Sequence, residues 1–277
     1  MLTCTAPVHS PRTLDEALAA RAIHPFATVL AGGTDVMVYI EGGSLKPSAL
    51  INLWKIDALR GICTSPAGTH MGALTTWTDI VRCEGLPVAL RDCARTVGAA
   101  QIQNRGTVGG NIVNASPAGD SLPMWLALDA RFELRSWRGV RQVAAADFWL
   151  GYKRTALGRD ELLTSVVVPA SVSSDHVRFR KVGTRLAQSI SKVVLGLRVR
   201  LEQGMVQEAR IAFGSVGPVP ARALAVEAAL LGKPLTEASV DAAIALLDIT
   251  PLDDIRSTAD YRNAVARRVL RAELLSL

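Results

Sequence analysis

Two short stretches hold the residue types that suit a polyanion: "LAGGTDV" at residues 30–36 and "GTVGGN" at residues 106–111. Glycines let backbone N–H groups approach a ligand that a Cβ would hold away, and a helix start or backbone nest adds a positive field. The first loop also offers a hydroxyl, Thr34, where the next element begins. Two such loops suit a diphosphate gripped from both sides. The same residues also build ordinary turns, so that plainer reading stands beside the first. No Gly-Lys-Ser/Thr follows either loop and neither is GxGxxG, so neither a P-loop nor a Rossmann site is supported.

Other chemistries find less. Cys4, Cys63, Cys83 and Cys93 lie far apart with no CxxC pair, and His9, His24, His70 and His176 show no HxxxH spacing. Zinc and iron–sulfur motifs are therefore missing, and no metal site is expected. The net charge of +6 is concentrated in Arg131, Arg135, Arg138, Arg141, Lys153, Arg154 and Arg159. The near-period-2 spacing of "RFELRSWRGVRQV" around a glycine predicts a hairpin with a solvated face rather than a nucleic-acid surface. That hairpin, Arg131 to Arg141, is one face on which another protein could dock. No apolar run reaches about 18 residues, so no membrane-spanning helix is expected. The start lacks a basic region followed by an apolar stretch, and the cytoplasm is the expected compartment.

The elements around the loops follow from local pattern. Thr13 and Glu16 form a capping box for a first helix. "ATVLAGGTDVMVYI" reads as a strand, a Gly-Gly turn and an apolar element from Thr34; "SALINLWKI" is another strand. Thr76 or Thr78 caps a helix, and "LPVALRDCARTVG" is an amphipathic helix ended by Gly98. "DSLPMWLALDA" is a helix with Asp120 as its cap, and "ELLTSVVVP" a strand closed by Pro169. "ASVSSD", residues 170–175, reads as a linker. Beyond it come three strands, the last two joined around Gln203 and Gly204, and three helical segments. At 277 residues and 49% hydrophobic, the chain can bury two cores. Domains are expected at 1–170, with a split near residue 57, and at 176–277, in an α+β fold.

Taken together, "VLAGGTDVMV", "INLWKIDALRGI", "GAAQIQNRGTVGGNIVNASPAGDSLPMWLALDA" and "FRKVGTRLAQSISKVVLG" resemble the FAD-binding subunit of the molybdenum hydroxylases, in motif order along nearly the whole chain. That family includes the xanthine, nicotinate and carbon monoxide dehydrogenases. The resemblance implies an N-terminal FAD-binding domain of the vanillyl-alcohol oxidase type and a C-terminal α+β domain with a three-stranded antiparallel sheet. It implies that Val29, Leu30, Ala31, Gly32, Gly33, Thr34, Asp35 and Val36 hold the FAD diphosphate together with Thr107, Val108, Gly109, Gly110 and Asn111. Asp120 matches an acidic cofactor contact; the diphosphate repels a carboxylate, so hydroxyls of a sugar or ribityl chain are its expected partners. Lys181 matches a lysine near the cofactor, where a cation favours reduced flavin; a solvated strand lysine is the plainer alternative. Leu162 or Leu163 matches an apolar backbone contact, and Val97 stands where some relatives carry an aromatic. Gln188 and Ile190 in "RLAQSIS" fall beside the expected isoalloxazine ring, and Gln188 is uncharged where some relatives have an acid.

The resemblance also implies a division of labour. Substrate is hydroxylated at a molybdenum cofactor, and electrons pass through [2Fe–2S] clusters to FAD and on to NAD or another acceptor. With no cluster cysteines and no length for a molybdenum domain, this chain is expected to hold FAD alone and to need an iron–sulfur and a molybdopterin subunit. Electron transfer needs no general acid or base, so no catalytic residue is assigned. Two rival readings are a stand-alone flavin oxidase, with His24, His70 or Tyr39 as base or covalent link, and a basic scaffold without cofactor.

Overall fold

The computed structural model describes residues 5–185 and 188–277; Cys4 lies outside them. The chain begins with β1 (Val8–His9), α1 (Leu14–Ile23), β2 (Thr28–Leu30), α2 (Val36–Glu41) and β3 (Leu50–Asn52). The three strands form a parallel sheet in the order β1-β3-β2. Parallel neighbours need a crossover, and α2 lies in the one from β2 to β3. Thr13 caps α1 by accepting the Glu16 amide at 3.2 Å. The expected return bond is displaced by one residue: Glu16 accepts the Arg12 amide, at 2.8 Å. The element after the glycine turn is α2, entered at Val36 rather than Thr34.

A second sheet follows. β4 (Ile62–Ser65) and β5 (Gly68–Gly72) lead to five short helices: α3 (Trp77–Arg82), α4 (Val88–Thr96), α5 (Ala100–Gln103), α6 (Val108–Asn114) and α7 (Leu122–Ala127). The chain then forms the hairpin β6 (Arg131–Ser136) and β7 (Gly139–Ala144), the small hairpin β8 (Trp149–Gly151) and β9 (Arg154–Thr155), and β10 (Leu162–Pro169). The order is β4-β5-β10-β6-β7, antiparallel throughout. Thr76, not Thr78, caps α3, in a reciprocal box with Asp79. Gly98, at φ +61°, follows α4 as expected of a left-handed stop. Phe132, Phe148 and Trp149 pack edge to face, with centroids 4.9–5.7 Å apart, and anchor this core.

The predicted β6–β7 hairpin is present with β7 mostly exposed, but two of its arginines are already paired. Arg138 meets Asp160 at 2.8 Å and Arg141 meets Glu161 at 2.6 Å. The Arg141 hydrogen bond holds the Glu161 carboxyl below its ordinary range. The charge available to a partner is thus smaller than the sequence suggests.

The C-terminal part contains β11 (Asp175–Val182), β12 (Val193–Glu202), β13 (Met205–Gly214), β14 (Ala221–Arg222), α8 (Leu224–Leu230), α9 (Glu237–Ala245) and α10 (Ala259–Leu275). Its antiparallel sheet has four strands, β11-β12-β13-β14, not the expected three. The two residues of β14 are too few to show a period and read in sequence as the start of α8. Gln203 and Gly204, at φ +51° and +76°, turn the β12–β13 hairpin as predicted.

Along β12, Val193, Leu195, Leu197 and Val199 join the core under α8–α10. The opposite face meets α7, whose six residues are all buried. There Gly196 is required by contact: a Cβ on it would lie 2.9 Å from the Pro123 carbonyl oxygen. Gly196→Val should therefore lower stability by about 1–3 kcal/mol, the usual cost of overpacking, seen as a reduced Tm in thermal unfolding.

Candidate functional site

The two glycine loops meet. Leaving β2, the chain turns through residues 31–35, with Gly33 at φ +83°, a conformation L side chains rarely adopt. A Cβ on Gly32 would stand 1.7 Å from the carbonyl oxygen of Arg105, so the first loop lies directly against the residue that introduces the second. Arg105 also stacks on Trp54, 3.6 Å from the ring centroid, and Arg60 stacks on the same ring at 4.3 Å.

The loops differ in what they offer. Among the described residues, the amides of Gly32, Gly33, Thr34 and Asp35 reach no protein acceptor. In the second loop only the Thr107 amide is left over. Val108 donates to the Thr75 carbonyl at 2.9 Å, Gly109 to the Ala73 carbonyl at 2.8 Å and Asn111 to the Thr107 carbonyl at 3.0 Å. The Gly110 amide donates to the Thr107 hydroxyl at 3.1 Å, which makes Thr107 the cap of α6. The expectation of two equal amide nests is corrected accordingly. Gly109 is a glycine because its Cβ would lie 2.7 Å from that of Ala73, a packing reason rather than an open space for phosphate. Gly110 is exposed, and beyond the rotatable Thr107 hydroxyl its missing Cβ faces nothing nearer than Ala31, at 4.0 Å.

Between the loops runs a cleft of ≈ 350 Å³. Val29, Ala31, Gly32, Gly33, Thr34, Asp35, Val36, Val97, Thr107, Gly109, Gly110, Asn111, Leu162 and Leu163 all line it, as predicted together. Leu30 and Val108 do not; Val108 is fully buried in the core. Apolar walls come from Ala27, Leu53, Leu74 and Leu157. Sequence reasoning missed these, together with Arg21, Ile102 and Asn114. A smaller, more polar chamber of ≈ 200 Å³ adjoins it, sharing Thr34, Asp35 and Asn111 and adding Ser116 and Asp120. Asp35 is exposed and lines both chambers. Desolvation by the surrounding walls raises its carboxyl pKa, against the pull of Lys153 and a hydrogen bond with Asn114.

Asp120 is no cap: Ser121 occupies that position of α7. Its carboxylate is instead buried beneath β11. Lys181 donates to one oxygen at 2.6 Å and to the Thr96 carbonyl at 3.0 Å; Ser191 donates to the other oxygen. Burial raises the Asp120 pKa, and Lys181 and Ser191 oppose the rise. Each carboxylate oxygen thus already accepts a protein donor. Lys181 is not a solvated lysine; it lines neither chamber and reaches the site through Asp120. Gln188, at φ +51°, and Ile190 are exposed in the connection from β11 to β12 and line neither chamber. Leu186 and Ala187 of the same stretch lie outside the described residues. His24 stacks on His9, His70 is exposed on β5 and Tyr39 contacts Lys153. No His, Tyr or Cys stands among the described lining residues.

A glycine turn with free amides, opening on a long apolar chamber, defines a class of protein that holds a phosphate-bearing aromatic cofactor. Comparison with known proteins narrows the class. Residues 3–171 match the FAD binding domain in molybdopterin dehydrogenase, and residues 178–277 match the CO dehydrogenase flavoprotein C-terminal domain. The chain is 33% identical over 262 residues to the nicotinate dehydrogenase FAD-subunit of Eubacterium barkeri, covering 90% of this chain and 87% of that one. It is 32% identical over 268 residues to the xanthine dehydrogenase FAD-binding subunit of Escherichia coli O157:H7, covering 93% and 90%. Among solved structures, a chain of carbon monoxide dehydrogenase from Hydrogenophaga pseudoflava superposes with TM-score 0.91 at 31% identity, covering 98% of this chain and 96% of that one. The chain belongs to the FAD-binding medium subunits of the molybdenum hydroxylase family, the flavoprotein components of these oxidoreductases.

Its cofactor is FAD, and the residues present fit it. Four unclaimed amides suit a diphosphate, and the apolar walls of the larger chamber suit a flat ring at one of its ends.

The Asp120–Lys181 pair makes a direct prediction. Asp120→Asn leaves the Lys181 ammonium buried without its counter-charge and should cost about 3–5 kcal/mol. Adding Lys181→Met to that variant should recover much of the loss in chemical denaturation, as a double-mutant cycle reads it.

Proposed function

We propose that this chain is the electron outlet of a multi-subunit molybdenum hydroxylase. In this reading it takes electrons from the [2Fe–2S] clusters of an iron–sulfur subunit, which are reduced in turn at a molybdopterin subunit, and passes them to NAD or another acceptor. The observation that carries it is the row of free amides from Gly32 to Asp35, opening between two chambers that together suit a dinucleotide. A sequence without any CxxC pair supports placing the clusters on a partner. The free thiols among the described residues, Cys63, Cys83 and Cys93, suit a reducing compartment such as the cytoplasm.

Bound FAD supplies acceptance and release of electrons singly or in pairs. The chain's own task is positional. Gly32, Gly33, Thr34 and Asp35 direct N–H groups at the diphosphate, while Ala31 and Val36 flank them. Thr107, Gly110 and Asn111 form the opposite wall, with Gly109 holding α6 against Ala73. Val29, Val97, Leu162 and Leu163 supply apolar contact, and Leu30 and Val108 act from behind as packing. Asp120, fixed by Lys181 and Ser191, closes the polar chamber; Gln188 and Ile190 stand on the surface beyond it. We also propose units at 1–170, divided near residue 57, and at 176–277.

Gly110→Val tests the cleft without disturbing Ala73. FAD affinity should fall at least 10-fold by equilibrium dialysis, while the Tm of the cofactor-free chain stays within a few degrees. Unchanged FAD affinity in the folded variant would sink the assignment of this loop. The purified chain, free of molybdenum and iron, should hold FAD yet oxidise no organic substrate until the partner subunits are added. Substrate oxidation by the chain alone would replace this reading with a stand-alone oxidase.

A further inference from the structure

Arg21 is the feature of the cleft that the residues assigned so far leave unexplained. It lies in the last turn of α1, where a cation complements the helix dipole. Its Nη1 donates to the Ala27 carbonyl at 2.7 Å, which ties α1 to the start of β2. Those roles account for one nitrogen. Among the described residues, Nε is buried with no acceptor, Nη2 meets none, and no carboxylate pairs directly with the guanidinium. Asp160 acts on it only at a distance. Yet Arg21 stands in the wall of the larger chamber, among Ala27, Val29, Leu157 and Leu162. A half-buried arginine without an ion pair is costly unless something else engages it.

We propose that Arg21 recognises the nucleobase at the adenosine end of the bound dinucleotide, by stacking its guanidinium on the purine or donating to a ring nitrogen. This rests on the FAD reading of the cleft. The free amides of the first loop already account for the diphosphate. Ala27 precedes Gly32 by five residues that include the extended β2, roughly 15 Å of chain and longer than a diphosphate, so Arg21 is placed for the group beyond the ribose rather than for the phosphates. The apolar chamber suits the base that takes no part in electron transfer. The flavin ring must remain close to a redox partner, which favours the polar chamber beside Asp120 for that end. A planar guanidinium stacks on π faces and donates in the plane, so arginine fits this task where lysine does not.

The test compares ADP with inorganic pyrophosphate as probes of the cofactor-free full chain, by isothermal titration calorimetry. The wild-type chain should bind ADP more tightly than pyrophosphate, the difference being the contribution of the nucleoside. Arg21→Met should weaken ADP about 10-fold, in the range of one cation–π contact or charge-assisted hydrogen bond, and leave pyrophosphate unchanged. Arg21→Lys, which keeps a donor for the Ala27 carbonyl and so guards against misfolding, should show the same selective loss. Equal weakening of both probes, no weakening of ADP, or full ADP affinity in Arg21→Lys would each overturn the assignment of Arg21 to the base. Failure of the wild-type chain to bind FAD, ADP or pyrophosphate would instead overturn the reading of the cleft itself.

Discussion

The site depends on one backbone contact. Two loops some 75 residues apart in sequence can face each other only if their main chains touch, and the touch is made at Gly32. The carbonyl of Arg105 occupies the space where any other residue would carry its Cβ. From that contact the rest follows in order: α6 starts where it does, Thr107 caps it, and the cleft has two walls at a fixed separation. Trp54, held between Arg60 and Arg105, secures the contact from the outer side. Each such cation–π pair contributes on the order of 0.5–1 kcal/mol at an exposed site, small beside the steric demand but oriented in the same sense.

The two walls are chemically unequal. One keeps its amides free for a ligand; the other uses all but that of Thr107 to hold α6 against Ala73, Thr75 and its own cap. An anion therefore has one side that binds it and one that confines it. At the far end, the Asp120–Lys181–Ser191 cluster crosses from the first half of the chain to the second. A buried pair of this kind contributes little net stability against an apolar substitute, and its value lies in fixing geometry. Here it fixes β11 over the polar chamber.

Much of this was legible in the residues, and the misses have physical reasons. Close backbone approach leaves a compositional trace, so both loops could be located from "AGGTD" and "TVGGN". What approaches a glycine leaves no trace: Gly109 makes room for Ala73, Gly32 for Arg105, and Gly110 for the Thr107 hydroxyl that caps α6. Arg21 looked like any basic residue near a helix end, because nothing local marks which side of α1 faces a cleft. Asp120 sat one residue before the cap position, and its pairing with Lys181 spans 61 residues, beyond any local pattern. The alternation of β6 and β7 announced those strands, whereas β14 offered two residues and no period.

The position of α7 bears on how such chains can be recombined. It belongs by sequence to the first half, yet it forms part of the floor of the C-terminal sheet, with Pro123 seated where Gly196 leaves room. A seam drawn through residues 170–175 therefore separates two surfaces shaped for one another. A C-terminal half grafted from a relative would need a matching small residue opposite Pro123 and a lysine opposite Asp120. For anyone recombining such chains, the two halves are thus to be handled as a single block rather than as interchangeable modules.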